Sequence, residues 1–86
     1  MVSATVTVKN RTGLHARPAS QLVMLSQKFE SQICIKSGDT EIDPKSIISV
    51  LSGGVKQGTT VDVTAEGADE QAAVQEIVAL IDSLTE

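Results

Sequence analysis

Apolar and polar residues alternate along three parts of the chain, and this pattern predicts strands with one buried face. Residues 2–8 form the first such part, residues 33–35 the second and residues 61–65 the last. The turn residues Ser37-Gly38-Asp39 follow the second strand, and residues 40–43 can return as a short third strand. We therefore predict four strands, of which the second and third form a hairpin.

Apolar residues at helical spacing predict helices in the intervening segments. The first helix runs from about residue 16 to residue 27, with Pro18 so early that its missing N–H costs no intrahelical hydrogen bond. A short second helix over residues 47–51 is capped by Ser46 and is ended by Gly53-Gly54. The sequence thus predicts one longer and one short helix before the last strand.

A third helix is predicted after Gly67, with Asp69 as its cap and Glu70 near its positive end. Its apolar stripe comprises Ala73, Val74, Ile77, Val78, Leu80, Ile81 and Leu84. The resulting order is β-α-β-β-α-β-α, which predicts an α+β fold. We expect a two-layer open-faced sandwich, with three helices on one face of a four-stranded, mainly antiparallel sheet. The pattern leaves the strand order open, and 86 residues suit one domain, residues 1–86.

Composition narrows the classes of function. Apolar residues make up 41% of the chain, but Phe29 is its one aromatic residue, so the core must be aliphatic and no aromatic platform exists for stacking bases or sugars. The net charge of −4 disfavours binding to nucleic acid and to anionic lipid. We therefore expect neither nucleic acid nor a membrane among the partners.

A single cysteine, Cys34, excludes an internal disulfide and a paired-thiol metal site, and we interpret it as a small core residue. The chain shows no secretory-signal pattern, and its longest apolar run, residues 77–81, is too short to span a bilayer. We expect a cytoplasmic protein with no metal and no cofactor.

The one histidine, His15, stands immediately before the first predicted helix and is followed by Ala16 and Arg17. The first N–H groups of a helix lack intrahelical acceptors and lie at the positive end of its dipole, so they can hold a phosphate and favour an uncharged imidazole. Arg17 can neutralise charge on a transferring phosphoryl group. Gly13 allows a tight turn of the backbone before His15, and Pro18 fixes the first helical turn after it. This arrangement indicates nucleophilic phosphoryl acceptance by His15. The alternative is an ordinary surface or capping histidine.

Residues 13–19, Gly-Leu-His-Ala-Arg-Pro-Ala, resemble the active-site signature of the HPr family of the bacterial sugar phosphotransferase system. The resemblance extends over essentially the whole chain, including Lys45-Ser46-Ile47, Gln57-Gly58 and Ala65-Glu66-Gly67. It implies that Nδ1 of His15 accepts phosphate from enzyme I and passes it to the IIA components of sugar permeases. It also implies that Arg17 is the partner of His15. The helix start itself predicts that the backbone N–H groups of Ala16 and Arg17 bind the phosphate. Because no second general base, nucleophile cluster or metal-ligand set accompanies His15, we expect a phosphoryl carrier rather than a self-sufficient enzyme.

Ser46 has two interpretations. On the residues alone it is a helix cap. The resemblance adds that some HPr proteins are phosphorylated at the matching serine by an ATP-dependent kinase, HPr kinase/phosphorylase. The resulting phosphoserine impedes phosphorylation of the histidine. It also implies a catabolite-control transcription factor as a partner. Ser49 and Gly53 differ from the Gly and Leu that the family often has there, and so change the surface near Ser46.

A docking surface is predicted next to His15. Some of its residues lie outside the buried stripe of the first helix. The others give the short second helix more apolar surface than its own core contact requires. They are Ser20, Met24, Ile47, Ile48 and Leu51. The alternative is that these residues, except for Met24, which helical phase turns outward, belong partly to the core. Because partners must share this face, we expect a monomer.

Two other functions fit parts of the pattern. A nitrogen-related phosphotransfer regulator would use the same histidine chemistry, and a small ferredoxin-like ligand-binding module would fit the order of strands and helices. The ligand-binding module gives no reason for His15-Ala16-Arg17-Pro18.

Overall fold

We describe residues 1–85 of a computed structural model of the chain, which contains seven helices and strands. Their bounds are β1 Val2–Thr7, α1 Ala16–Ser26, β2 Gln32–Ser37, β3 Thr40–Ile42, α2 Ile47–Ser52, β4 Thr60–Glu66 and α3 Glu70–Asp82. The order of elements confirms the prediction. The first strand, the first helix and the third strand each end one residue earlier than the sequence pattern indicated.

The four strands form one sheet in the order β1-β4-β2-β3, and every neighbouring pair is antiparallel. The last strand in the chain lies between the first two, where Val63 pairs with Ala4 on one side and with Ile35 on the other. Because the sequence pattern is local, it could indicate four strands but not this order.

Three helices cover one face of the sheet. Alternate strand residues, among them Val6, Ile35 and Val63, are buried against Leu22 of α1 and Ile77 of α3. The opposite face carries polar side chains and remains exposed. The predicted open-faced sandwich is therefore confirmed, with an aliphatic core between its two layers.

Two loops lie together at one end of the sheet and position the start of α1. The amide of Val8 donates to Thr59 O at 2.8 Å, and the amide of Gly58 donates to Val8 O at 2.6 Å. Gln57 Nε2 also donates to Lys9 O at 2.9 Å. The segment leading from β1 to α1 is thus held against the segment that enters β4.

The interpretation of Cys34 as a core residue is wrong. It alternates with the buried Ile33 and Ile35, so its side chain lies on the open face of the sheet, partly exposed. Its Sγ donates to Glu41 Oε1 at 3.7 Å. Partial burial, followed by the Glu41 carboxylate, raises the pKa of the Cys34 thiol, which makes it a poor nucleophile.

Asp69 stands at the N-cap position of α3, but its side chain makes no cap hydrogen bond. Its carboxylate instead accepts from the amides of Glu30 and Ser31, both at 2.9 Å, and from the Ser31 hydroxyl. The hydroxyl bond, followed by the Glu30 amide bond, lowers the pKa of Asp69. Asp69 therefore ties the connection between α1 and β2 to the start of α3, while Glu70 accepts from the amide of Gly67 at 3.1 Å.

None of the helices within residues 1–85 has both the length and the apolar character that crossing a membrane requires.

Candidate functional site

The segment before His15 is fixed by a turn and by the neighbouring loop. The amide of Gly13 donates to Asn10 O, and the amide of Leu14 donates to Val55 O, each at 3.2 Å. The Leu14 side chain is completely buried. The backbone that enters His15 is therefore anchored to the core by one side chain and to the next loop by one hydrogen bond.

Gly13 is required by this contact. It has φ +62°, in the left-handed region, and a Cβ at this position would stand 2.3 Å from Val55 O. Any other residue would force the two loops apart. The tight backbone expected at Gly13 is present, and its cause is the close contact with Val55.

His15 is the N-cap residue of α1, with φ −127° and ψ 165°. Its side chain is half-buried and makes no cap hydrogen bond. The geometry therefore does not support a capping role, and it places the imidazole at the surface rather than in the core.

Ala16, the next residue, is the one non-glycine residue within positions 1–85 that has a positive φ, at +56°. This conformation costs an alanine roughly 1–2 kcal/mol, because Cβ approaches the following carbonyl oxygen. Such strain persists only where the surroundings impose it, and it is found preferentially at functional sites. Nothing in the sequence pattern indicated it.

The first turn of α1 offers an anion-binding environment. Ala16 and Arg17 are its first two residues, so their N–H groups have no acceptor inside the helix, and Pro18 has no N–H to satisfy. The turn contains no acidic side chain, and both Ala16 and the Arg17 side chain are exposed. The helix dipole adds positive potential at the same place.

Further positive charge surrounds this end of the molecule. Lys9 and Arg11 lie in the loop before His15, Lys56 lies in the loop that contacts Gly13, and no acidic residue occurs before Glu30. One acidic partner is present, because Lys9 Nζ lies 3.0 Å from Asp82 Oδ1. The site therefore lies in a basic region of a chain whose net charge is −4.

Ser46 is the N-cap of α2, as predicted. Its hydroxyl accepts from the amide of Ser49 at 3.3 Å and is half-buried. Ser49 Oγ in turn accepts from the amide of Asp43 at 2.8 Å, and Gln27 Nε2 donates to Lys45 O at 3.1 Å. Ser46 therefore lies near the C-terminal end of α1.

His15 and Ser46 are consequently at opposite ends of α1. The 12 residue steps from His15 to Gln27 correspond to about 18 Å of helix. The other end of α2 leads to Val55, which contacts the segment before His15. The two helices thus run antiparallel, with α2 extending from the region of Ser46 towards His15.

Four of the predicted docking residues are large exposed apolar side chains. Met24 is 67% exposed and Ile48 is 74% exposed, and Ile47 and Leu51 are exposed to a smaller extent. These four residues, here called the α1–α2 patch, lie on two helices that pack against each other. The alternative that Ile48 belongs partly to the core is wrong, and Met24 is turned outward, as its helical phase indicated.

The α1–α2 patch continues towards the candidate site along α1. Ser20 and Met24 follow Arg17 by three and seven positions, so the three share one face of the helix. Ser20 is exposed as well. One surface therefore extends from Arg17 across the patch towards Ser46.

Within residues 1–85, no three His, Cys, Asp or Glu side chains lie close enough together to hold a metal ion. An open cavity of about 450 Å³ lies on the exposed sheet face, lined by residues that include Cys34, Lys45 and Glu66. It contains none of the residues around His15.

Comparison with known proteins gives a consistent result. A family model described as "PTS HPr component phosphorylation site" matches residues 2–83. The chain is 39% identical over 84 residues to the phosphocarrier protein HPr of Haemophilus influenzae, covering 98% of this chain and 99% of that protein. It is 38% identical over 82 residues to the HPr-like protein Crh of Halalkalibacterium halodurans, covering 95% and 98%.

Solved structures agree. A structure of HPr from Thermoanaerobacter tengcongensis, 44% identical, superposes with a TM-score of 0.93 over 96% of this chain and 93% of that one. A dimeric form of HPr from the same organism, also 44% identical, gives a TM-score of 0.76 over 96% and 95%. The present chain therefore has a path closer to the first form than to the dimer.

Proposed function

The chain belongs to the HPr family of phosphocarrier proteins of the phosphotransferase system, and on that premise we propose that His15 accepts a phosphoryl group from enzyme I and passes it to IIA components. The observation that carries this proposal is the position of the imidazole, at the surface and at the N-terminus of α1, where it makes no cap hydrogen bond. We further propose that residues 1–86 act as one cytoplasmic carrier domain without metal or cofactor.

In the proposed transfer, Nδ1 of His15 attacks phosphorus, and the new N–P bond forms as the bond to the donor breaks. The second transfer to a IIA component reverses these roles, with His15 as the leaving group. No water is consumed, so the protein is a carrier whose phosphorylated form is an intermediate rather than a product.

The start of α1 supplies the charge that this transfer needs. The transferring group spreads negative charge over its oxygens, and the amides of Ala16 and Arg17 together with the Arg17 guanidinium can donate to them. These groups are exposed, so binding is weak enough for the phosphoryl group to leave again. This balance suits a carrier better than a deep anion pocket would.

The experiment that tests this function uses enzyme I and phosphoenolpyruvate carrying a labelled phosphate. We expect one acid-labile phosphate per chain, dependent on enzyme I, and its transfer to an added IIA protein. Absence of label with an active enzyme I, shown active on another HPr, would contradict the proposal.

We propose that enzyme I and IIA components dock on the α1–α2 patch with Ser20 at its edge. The patch is apolar and lies beside the basic region around His15. It suits a partner whose docking surface has an apolar centre and acidic residues at its rim. Because this face must be open to several partners in turn, we propose a monomer as the working form.

Replacing Ile48 by Glu is expected to raise the KM of enzyme I for this protein about tenfold while leaving kcat unchanged, as for loss of one well-placed interface contact. Ile48 is 74% exposed, so folding should be preserved. Gln75→Glu is the matched control, because it adds the same charge at an exposed position of α3. Equal KM values for the two variants would exclude Ile48 from the docking surface.

We also propose that Ser46 is a regulatory phosphorylation site for an HPr kinase/phosphorylase. Its hydroxyl accepts from the amide of Ser49, and Ser46 is a partly exposed residue that precedes Ile47 of the α1–α2 patch. A phosphate there adds up to about two negative charges at the edge of the docking surface and repels acidic partners. A catabolite-control transcription factor would be a partner of this phosphorylated form.

With ATP and the kinase, the chain should acquire one acid-stable phosphate that Ser46→Ala lacks. Ser52→Ala, which changes an exposed serine at the other end of the same helix, should retain it. The cap removed in Ser46→Ala is worth about 1 kcal/mol, so circular dichroism must show that this variant is folded. Incorporation into Ser46→Ala would show that Ser46 is only a helix cap.

Family membership argues against a ferredoxin-like ligand-binding module, because the family model spans residues 2–83. A nitrogen-related regulator remains the second candidate, since it would share the chemistry of His15. Transfer to a IIA component of a sugar permease, measured against a nitrogen-related IIA protein, distinguishes the two.

A further inference from the structure

Asn10 is one of the few polar side chains buried within residues 1–85, with only 4% of its surface exposed. It lies five residues before His15 and outside the signature of residues 13–19. A buried amide needs hydrogen-bonding partners, since an unpaired one costs about 1–3 kcal/mol. The partners of Asn10 therefore indicate why a polar group stands at this position.

The Asn10 side chain binds the backbone of the loop that ends at His15. Its Nδ2 donates to Gly13 O at 2.8 Å, and more weakly to Thr12 Oγ1 at 3.4 Å. The amide of Gly13 donates back to Asn10 O at 3.2 Å. Asn10 thus holds the N–H of the Thr12–Gly13 peptide and the C=O of the Gly13–Leu14 peptide. The hydrogen bond from the Leu14 amide to Val55 O holds the other side of the Gly13–Leu14 peptide, so its plane is fixed.

This fixed plane precedes the strained residue Ala16. Downstream, the buried residues Pro18 and Ala19 anchor α1 to the core. Upstream, the hydrogen bond from Leu14 to Val55 and the contacts of Asn10 anchor the loop. Ala16, with its left-handed conformation, lies between these two anchors. Loss of either anchor would allow Ala16 to relax to a negative φ, which would rotate the peptide between His15 and Ala16.

We propose that Asn10 is a positioning residue for phosphoryl transfer, an inference that rests on the proposed role of His15. Asn10 acts through the backbone: it holds the carbonyl of Gly13, and thereby the orientation of His15 and of the amides of Ala16 and Arg17. It touches neither the phosphoryl group nor the partner. Its loss should therefore reduce the rate of transfer within the docked complex and leave docking unchanged.

The test compares Asn10→Asp and Asn10→Ala with wild type. Asn10→Asp keeps the size of the side chain but replaces the donor that faces Gly13 O with an acceptor. Asn10→Ala removes the whole amide group, and with it the hydrogen bond to Gly13 O. Ser31→Ala is the matched control, since Ser31 is another buried polar residue, 1% exposed, whose hydroxyl bonds to Asp69 at the opposite end of the molecule. Urea denaturation and circular dichroism establish the folded fraction of each variant, and kcat and KM are calculated from the concentration of folded protein.

For both Asn10 variants we expect kcat with enzyme I to fall roughly tenfold to a hundredfold, as for a small misplacement of a reacting group, with KM within about twofold of wild type. The NMR signals of the Ala16 and Arg17 amides should shift as well. Ser31→Ala should keep wild-type kcat and wild-type shifts at these amides even though it is destabilised.

Wild-type kcat in folded Asn10→Asp or Asn10→Ala, or an equal loss of kcat in Ser31→Ala, would overturn the role of Asn10 and leave the function of His15 intact. If one Asn10 variant fails to fold, the kcat of the other variant and its NMR shifts at the Ala16 and Arg17 amides test the proposal. A wild-type chain that takes no label from enzyme I would instead overturn the proposed function, and with it this inference.

Discussion

Replacement of His15 by Ala is expected to reduce acid-labile phosphate incorporation from enzyme I to background. The imidazole is the single nucleophile in the proposed transfer, and the chain has no second histidine to replace it. The amides of Ala16 and Arg17 remain in the variant, but they only bind oxygens of a phosphoryl group and form no bond to phosphorus. The loss should therefore be complete rather than partial, as measured by label retained at alkaline pH and released by acid.

The control for this variant is its stability. The His15 side chain is half-buried and makes no cap hydrogen bond, so the free energy of unfolding of His15→Ala should lie within about 0.5 kcal/mol of wild type. Ser46→Ala provides the matched comparison, because it should keep the acid-labile phosphate that His15→Ala loses. Acid-labile label on folded His15→Ala would show that another residue accepts the phosphoryl group.

The chain order of strands and helices was predictable from the sequence because each depends on a local pattern. The apolar stripe of α3 and the alternation of β4 are regular over 13 and 7 residues, respectively. The strand order β1-β4-β2-β3 was not predictable in this way, since it depends on pairing between segments as distant as Val2 and Ala65. Local patterns carry no information on which distant strand provides the partner.

The sequence also placed His15, Arg17 and Ser46 at helix starts, because capping residues and proline mark helix ends locally. The same reasoning was wrong for the Asp69 side chain. Its carboxylate accepts from the amides of Glu30 and Ser31 rather than from those of its own helix. These amides belong to a loop distant in the chain, and a local sequence pattern gives no information on contacts with distant segments.

The strain at Ala16 and the role of Asn10 were both missed, for related reasons. Gly, Asn and Asp are the residues that adopt a positive φ readily, so the alanine at position 16 gives no signal for a left-handed conformation. An asparagine before a glycine-containing turn is equally typical of any surface loop. Only its burial distinguishes Asn10, and burial depends on tertiary packing, which a local sequence pattern does not show.

The antiparallel packing of α1 and α2 connects the two proposed phosphorylation sites. His15 and Ser46 lie at opposite ends of α1, with the α1–α2 patch between them. A phosphate on Ser46 is therefore too far away to contact one on His15, and its charge acts on whatever protein covers the patch. Such regulation should appear as a change in KM for enzyme I that weakens as salt concentration rises.

Replacement of Gly13 by Ala is expected to be the most destabilising of the substitutions considered, at about 3–5 kcal/mol, a large part of the 5–15 kcal/mol typical of folded proteins. Two effects add. The left-handed φ of +62° costs an alanine roughly 1–2 kcal/mol. In addition, its Cβ would meet Val55 O at 2.3 Å and Lys56 Cα at 2.9 Å, and backbone atoms cannot move aside as a flexible side chain can.

Gly54→Ala separates the two effects. Gly54 has a similar φ of +69°, but no heavy atom lies within 4 Å of the position its Cβ would take. It should therefore lose only the conformational part, about 1–2 kcal/mol, in urea denaturation. If the two variants lose equal stability, contact with Val55 does not hold the loop. If Gly13→Ala loses more, its folded fraction should also transfer phosphate more slowly than Gly54→Ala, because separating the two loops moves the backbone that orients His15.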